Sequence, residues 1–221
     1  VVPHPVPRAL ELAEIPGIVE AFRQGAENAK AAGFDGVELH AANGYLIDTF
    51  LQDKTNTRND RYGRSIDNRM RFLLEVVDAV SGVWGAGRGG VHLTPRCDVN
   101  DMGDSNPSAL FTAVARALKA KGVAFLCLRE RLKEDSLLGR IKAEFGGVVI
   151  ANEDLTPESA ARLVAEGRAD AAAFGRAFIA NPDLVARIKT GAGLNVPDPD
   201  TFYGRHHGAR GYIDYPALTG A

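Results

Sequence analysis

Residues 148–176 read VVIANEDLTPESAARLVAEGRADAAAFGR, and this stretch decides the fold class. An apolar run at 148–151 leads to Thr156, a good helix N-cap, and Pro157, a good first helical residue. The helical pattern ends near Gly167, and a second apolar run covers 171–175. Runs this short, with no polar face, suit strands buried on both sides in a parallel sheet covered by helices.

The same alternation extends in both directions. A helix is expected over 16–32, with Ile18, Val19, Phe22, Ala26 and Ala29 at helical spacing and Gly33 as its stop. An apolar run follows at 36–40. A second helix is expected over 68–81, with Phe72, Leu73, Val76, Val77 and Val80 on one face, then a run at 90–94. A third helix over 107–121 turns Leu110, Phe111, Val114 and Leu118 inward and precedes a run at 123–128. A short helix at 136–145 leads into the stretch quoted above, and Asn181, Pro182 and Asp183 open a last helix closed by Gly191.

Five runs alternating with helices fit either an open doubly wound sheet or a (β/α)8 TIM barrel. No GxGxxG follows any run, which weakens the dinucleotide-binding sheet. Polar residues collect where the runs end: His40 and Asn43, then Thr94, Arg129, Asn152 and Arg176. A barrel builds its chemistry at that rim from several strands at once. The expectation is therefore an α/β single domain over 1–221 that forms about the last five β/α units of an incomplete barrel. Five strands cannot close one at ordinary tilt and shear. Because a helix precedes the first run, the absent units are expected upstream. Val1 in place of Met, and the proline-rich opening residues, agree with that.

Composition narrows the partners. The 221 residues are 45% hydrophobic and 24% charged, with a formal net charge of -2, so neither nucleic acid nor an anionic membrane is expected as a partner. No apolar run approaches the roughly 20 residues of a membrane-spanning helix, and no leader is read at the front. Cys97 and Cys127 are too few for a disulfide framework and too isolated for a zinc site, so no metal is expected and a cytoplasmic location fits. Each is expected to be a buried, inert thiol.

The most informative chemistry lies in 33–69, GFDGVELHAANGYLIDTFLQDKTNTRNDRYGRSIDNR. His40 and Asn43 offer two neutral donors, able to hold one carbonyl or nitro oxygen and to stabilise charge that builds there. Tyr45 offers a phenol able to protonate a carbanion-like carbon. A His and an Asn that merely shape a loop are the plainer alternative. At the other end of the chain, Gly175 lets backbone approach an anion and Arg176 offers a bidentate cation, as a phosphate site needs. The alternative there is Arg176 paired with a surface carboxylate.

The order HxxNGYLxxxFL, NxRxDxYG and S[IV]xNR resembles the old yellow enzyme family. Here it reads His40, Asn43, Gly44, Tyr45; Asn56, Arg58, Asp60, Tyr62, Gly63; and Ser65, Ile66, Asn68, Arg69. The stretches 90–104, 173–185 and 201–216 resemble the same family, most closely its N-ethylmaleimide and xenobiotic reductase branch. The resemblance implies an FMN-dependent, NAD(P)H-consuming ene-reductase of small-molecule enones, maleimides and nitro compounds. It implies that His40 and Asn43 hold the substrate oxygen, that Tyr45 gives the proton, and that Tyr203 lines the substrate pocket. For FMN it implies His92, Asn152, Gly175 and Arg176.

Three positions depart from the family pattern. His92 stands where many members have Arg; a histidine that titrates there is expected to make flavin potential pH-dependent, unless His92 is simply a core histidine. Glu153 follows Asn152 where the phosphate loop is expected, and would repel phosphate unless it points away. Arg64 replaces a glycine. Two other readings remain: a catalytically inactive truncated barrel acting as a structural unit, and a phosphate-binding isomerase or aldolase barrel, which would want a Lys or Glu base at a strand end.

Overall fold

A computed structural model describes residues 7–96, 100–203 and 208–218, so Cys97 lies outside the described residues. The elements run α1 (Ile15–Ala31), β1 (Val37–Ala41), α2 (Leu46–Leu51), α3 (Ile66–Trp84), β2 (Gly89–Leu93), α4 (Pro107–Ala120), β3 (Phe125–Arg129), α5 (Leu138–Phe145), β4 (Val148–Asn152), α6 (Pro157–Ala165), β5 (Ala171–Ala172), α7 (Arg176–Ala180) and α8 (Leu184–Thr190). The strands form one sheet in chain order, β1-β2-β3-β4-β5, and every neighbouring pair is parallel. Each strand therefore ends at the same rim.

The strands are two-faced rather than uniformly apolar, which corrects the expectation from their composition. Side chains alternate across a strand. Leu39, Ala41, Val91, Leu93, Leu126, Leu128, Val149 and Ala151 are buried, and the core cluster joins them to Phe72, Leu73, Val76, Leu110, Phe111 and Ile141 of the helices. The opposite face carries Glu38, His40, His92, Cys127 and Arg129. Register sets His40 beside His92, His92 beside Cys127, and Cys127 beside Ile150. On this face Gly90 leaves room for the Phe125 ring; a Cβ at Gly90 would lie 2.2 Å from it.

The short helix α2 was not legible in the sequence, and a second short helix, α7, follows directly after Gly175. The fifth run is a strand over only two residues, not 171–175. Pairing persists through Ala173 N–H to Ala151 carbonyl at 2.8 Å, and Asn152 Nδ2 donates to the Ala173 carbonyl at 2.9 Å. A side chain thus replaces the next rung of the ladder, and the chain turns into α7 at Gly175. The last helix begins at Leu184, later than Asn181 and Pro182 suggest. Thr156 caps α6 as expected, in a reciprocal capping box with Ser159.

The polar motif at 56–69 is scaffold. Asn56 donates to the carbonyls of Phe50 (2.6 Å) and Tyr62 (2.7 Å), Arg58 pairs with Asp60 at 2.6 Å, and the Tyr62 hydroxyl donates to Glu75 at 2.9 Å. Ser65 caps α3. Arg64 has φ 69, a left-handed conformation in which glycine is free of the Cβ cost, which accounts for the glycine usual there. Arg69 is buried and pairs with Asp104, whose side chain is shielded from solvent, tying α3 to the loop that follows β2. Asp104 accepts two further bonds, from Asp53 N–H (3.0 Å) and Asn106 N–H (2.9 Å).

Removing one partner of such a pair leaves an uncompensated buried charge, which costs several kcal/mol, whereas an exposed pair contributes little. Arg69→Met is expected to lower stability by about 3 kcal/mol, and Arg23→Met, which breaks helix-surface pairs with Glu20 and Glu27, by far less. Urea unfolding checks this; equal losses for the two variants would contradict the ranking.

Candidate active site

The turn after β1 is set by two residues. Asn43 (φ 60) and Gly44 (φ 74) are both left-handed, and Tyr45 N–H donates to the Ala42 carbonyl at 3.1 Å. Two positive φ values closed by this bond form a type I′ turn, for which Asn-Gly is the favoured pair. A Cβ on Gly44 would also lie 2.9 Å from the Asn100 side chain. The turn is fastened from three sides. Asn43 N–H donates to Thr94 Oγ1 at 2.6 Å, Asn100 Nδ2 donates to the Asn43 carbonyl at 2.9 Å, and Gly44 N–H donates to Asp48 Oδ2 at 2.9 Å.

This turn places Tyr45 beside His40, with ring centroids 5.2 Å apart, and His40 lies 5.2 Å from the His92 ring. Tyr45 is 61% exposed, so its hydroxyl is open to a ligand at the rim. Asn43 Oδ1 accepts from Arg129 Nη1 at 3.0 Å. Residues from the ends of β1, β2 and β3 therefore meet in one cluster: His40, Asn43, Tyr45, His92, Thr94 and Arg129.

Burial sets the charge state of the cluster. Desolvation lowers the His40 pKa below the usual histidine value. His92 is pushed down to about 4, first by desolvation and then by the nearby His40 and Arg129. The titration expected of His92 near neutral pH is thus not supported: a half-buried ring facing a cation stays neutral. Glu38, 3.8 Å from His92 Nδ1, is raised by desolvation and does not offset this. His92 Nε2 is buried with no hydrogen-bond partner among the described residues. Cys127 is buried and raised to about 12 by desolvation, an inert thiol as expected.

Further round the rim lies a cleft of about 580 Å³, lined in part by Asn152, Glu153, Asp154, Gly175, Arg176 and Phe202. Arg176 donates to Asp154 Oδ1 at 2.8 Å, and Arg131 donates to Asp154 Oδ2 at 2.9 Å. The surface-carboxylate alternative for Arg176 therefore holds in this structure, and the carboxylate occupies an anion position between two guanidiniums. Glu153 pairs with Arg129 at 2.7 Å rather than with Arg176, and lies 3.9 Å from Arg131. Tyr203 is not brought to the cluster. It is 95% exposed, and its ring meets Phe202 edge-on at 6.5 Å.

The model of the NADH:flavin oxidoreductase / NADH oxidase family matches residues 2–195. The chain belongs to this family, that of old yellow enzyme. It is 46% identical over 219 residues to a probable flavin mononucleotide-dependent alkene reductase of Leishmania infantum, covering 98% of this chain and 60% of that protein. It is 44% identical over 220 residues to 12-oxophytodienoate reductase 2 of Arabidopsis thaliana, covering 96% and 59%. Among solved structures, morphinone reductase in complex with tetrahydroNAD superposes with a TM-score of 0.94 at 47% identity, over 99% of this chain and 60% of that one. The old yellow enzyme homologue from Zymomonas mobilis gives 0.93 at 39% identity, over 98% and 63%. The chain spans about 60% of the length of these relatives, and its sheet is five strands of the family's (β/α)8 barrel.

Sequence reasoning missed Asp48 in this family member. A single acid inside the apolar helix LIDTFL was the available signal. Asp48 is fully buried, accepts from Gly44 N–H and Gln52 Nε2, and is raised to about 6 by desolvation. A carboxyl raised above its unfolded value of about 3.9 binds more protons folded than unfolded, so its contribution is lost as pH rises from about 4 to about 6. Urea unfolding should show Asp48→Asn gaining on the wild type by on the order of 2 kcal/mol between pH 4 and 7. A pH-independent difference would contradict the assignment. For His92, NMR titration is expected to show no inflection between about pH 5 and 8, consistent with a neutral ring; a midpoint near 6.5 would overturn it.

Proposed function

We propose that this chain carries the substrate-binding rim and phosphate clamp of an FMN-dependent, NAD(P)H-consuming ene-reductase acting on small molecules. Its substrates are activated C=C bonds in enones and maleimides, with nitro compounds as a further class. The observation that carries the reading is the juxtaposition of His40, the Asn43 amide and the Tyr45 phenol at one rim, next to a buried His92 nitrogen that has no hydrogen-bond partner among the described residues.

The residues present fit FMN. His92 Nε2, unpaired among the described residues, is a polar atom that a flavin carbonyl or ring nitrogen would satisfy. Arg176 holds an anionic group at the end of the cleft, the place for a phosphate, with Gly175 beside it. Asn152 lines the same cleft, though its Nδ2 is committed to the Ala173 carbonyl. When bound, FMN supplies the hydride chemistry that no side chain of this chain can.

The chain's own groups perform the rest. His40 and Asn43 donate to the activating oxygen of the substrate, where negative charge grows as the C=C bond is reduced. His40 serves as a neutral donor, in keeping with its lowered pKa. Tyr45, exposed at the rim, gives its phenolic proton to the adjacent carbon, and solvent restores it.

In flavin-loaded protein with NAD(P)H, Tyr45→Phe is expected to slow cyclohexenone reduction by about 10²-fold, and His40→Ala or Asn43→Ala by about 10²-fold each. Arg176→Ala should weaken FMN more than riboflavin, which lacks the phosphate. Unchanged rates in all three rim variants, or equal losses for FMN and riboflavin, would sink the corresponding part of the proposal.

A further inference from the structure

Arg129 ends β3 on the same sheet face as His92, and no role follows for it from the family pattern quoted above. Among the described residues its guanidinium meets Asn43 and Glu153. Nη1 donates to Asn43 Oδ1 at 3.0 Å, while Nε and Nη2 donate to the two carboxylate oxygens of Glu153 at 2.7 and 3.2 Å. The pair is largely buried, with side-chain exposures of 22% for Arg129 and 15% for Glu153.

An asparagine amide presents an acceptor on one side and two donors on the other, and the two ends have nearly the same shape. Nothing in the shape of a pocket decides which end faces a ligand. A guanidinium has only donors, so the atom it meets on Asn43 must be the oxygen. The backbone of Asn43 is already fixed by Thr94 Oγ1 and Asn100 Nδ2. The remaining freedom is rotation of the side chain, which the bond to Arg129 removes. The Thr94 hydroxyl lies on the same oxygen at 3.5 Å, too long to hold it alone.

We infer that Arg129 is a positioning residue that holds the Asn43 amide with its NH₂ group turned away from the strand ends and toward the substrate, and that Glu153 holds Arg129 in place for this. The inference rests on the proposed role of Asn43 as a donor to the substrate oxygen. A cation on the carbonyl side of an amide also polarises it, which strengthens its N–H groups as donors where charge develops. Glu153 gains an account as well. A carboxylate in this loop, at a left-handed φ of 96, is held on Arg129 by a bidentate pair, while Arg176 pairs with Asp154.

The test is a double-mutant cycle of Asn43→Ala and Arg129→Met in the flavin-loaded protein, with Arg129→Lys as the conservative variant. Two readouts are taken: kcat/KM for cyclohexenone, and the Asn43 side-chain amide resonances, assigned by their loss in Asn43→Ala and followed without turnover. Arg129→Met is expected to lower kcat/KM about tenfold and to shift or broaden the Asn43 amide pair. The same change in the Asn43→Ala background is expected to cost nothing further, because Arg129 acts through Asn43. Arg129→Lys, which keeps one donor, should recover part of both readouts. Multiplicative losses in the double variant, or an Asn43 amide indifferent to Arg129, would overturn the inference while leaving the site standing. An Asn43→Ala variant with full activity would overturn the role of Asn43 itself, and the inference with it.

Discussion

The parallel register of β1 against β2, and of β2 against β3, is the constraint on which the site depends. Parallel pairing puts every strand end at one rim, and the register His40–His92–Cys127 fixes which side chains stand abreast. A slip of one residue would turn His40, His92 and Arg129 toward the helices and expose Leu39, Val91 and Leu128. The apolar face enforces the register: Leu93, Leu126, Phe72 and Phe111 bury completely only in this alignment.

On that frame the chain builds rigidity in a graded way. Among the described residues the motif from Asn56 to Arg69 locks the segment between α2 and α3 through buried backbone bonds and the Arg69–Asp104 pair, away from the hydrogen bonds of the rim cluster. The Asn43–Gly44 turn is then pinned by Thr94 and Asn100 of the segment that follows β2 and by Asp48 of α2. Side chains that must meet a ligand to within a fraction of an ångström are thus held by groups that are themselves held. At the far end of the rim the fastening is looser, with Arg176, Arg131 and Asp154 joined by exposed ion pairs that rearrange at little cost.

The charge pattern separates two halves of the rim. Around His40 and His92 burial favours neutral groups, so hydrogen bonding rather than net charge governs what binds there. Around Arg131 and Arg176 the guanidiniums favour an anion. Arg129 lies between the halves, its charge offset by Glu153, and it lends the first half a fixed donor direction without leaving an uncompensated cation.

The sequence by itself determined the alternation of strand and helix, the cap at Thr156 and the ordering of polar residues at strand ends. Each of these is a local matter of periodicity, capping or spacing. Tertiary structure decided which end of the Asn43 amide faces outward, that His92 stays neutral, that Glu153 turns to Arg129 and that Arg64 occupies a glycine conformation. It also decided that Asp48, unremarked in an apolar helix, fastens the turn, and that β5 stops after two residues where Asn152 takes over the ladder. For Asn43, Glu153 and Asn152 the reason is a hydrogen-bond partner 86, 24 and 21 residues away, and for His92 and Asp48 it is burial; neither proximity in space nor exclusion of water is written in local sequence.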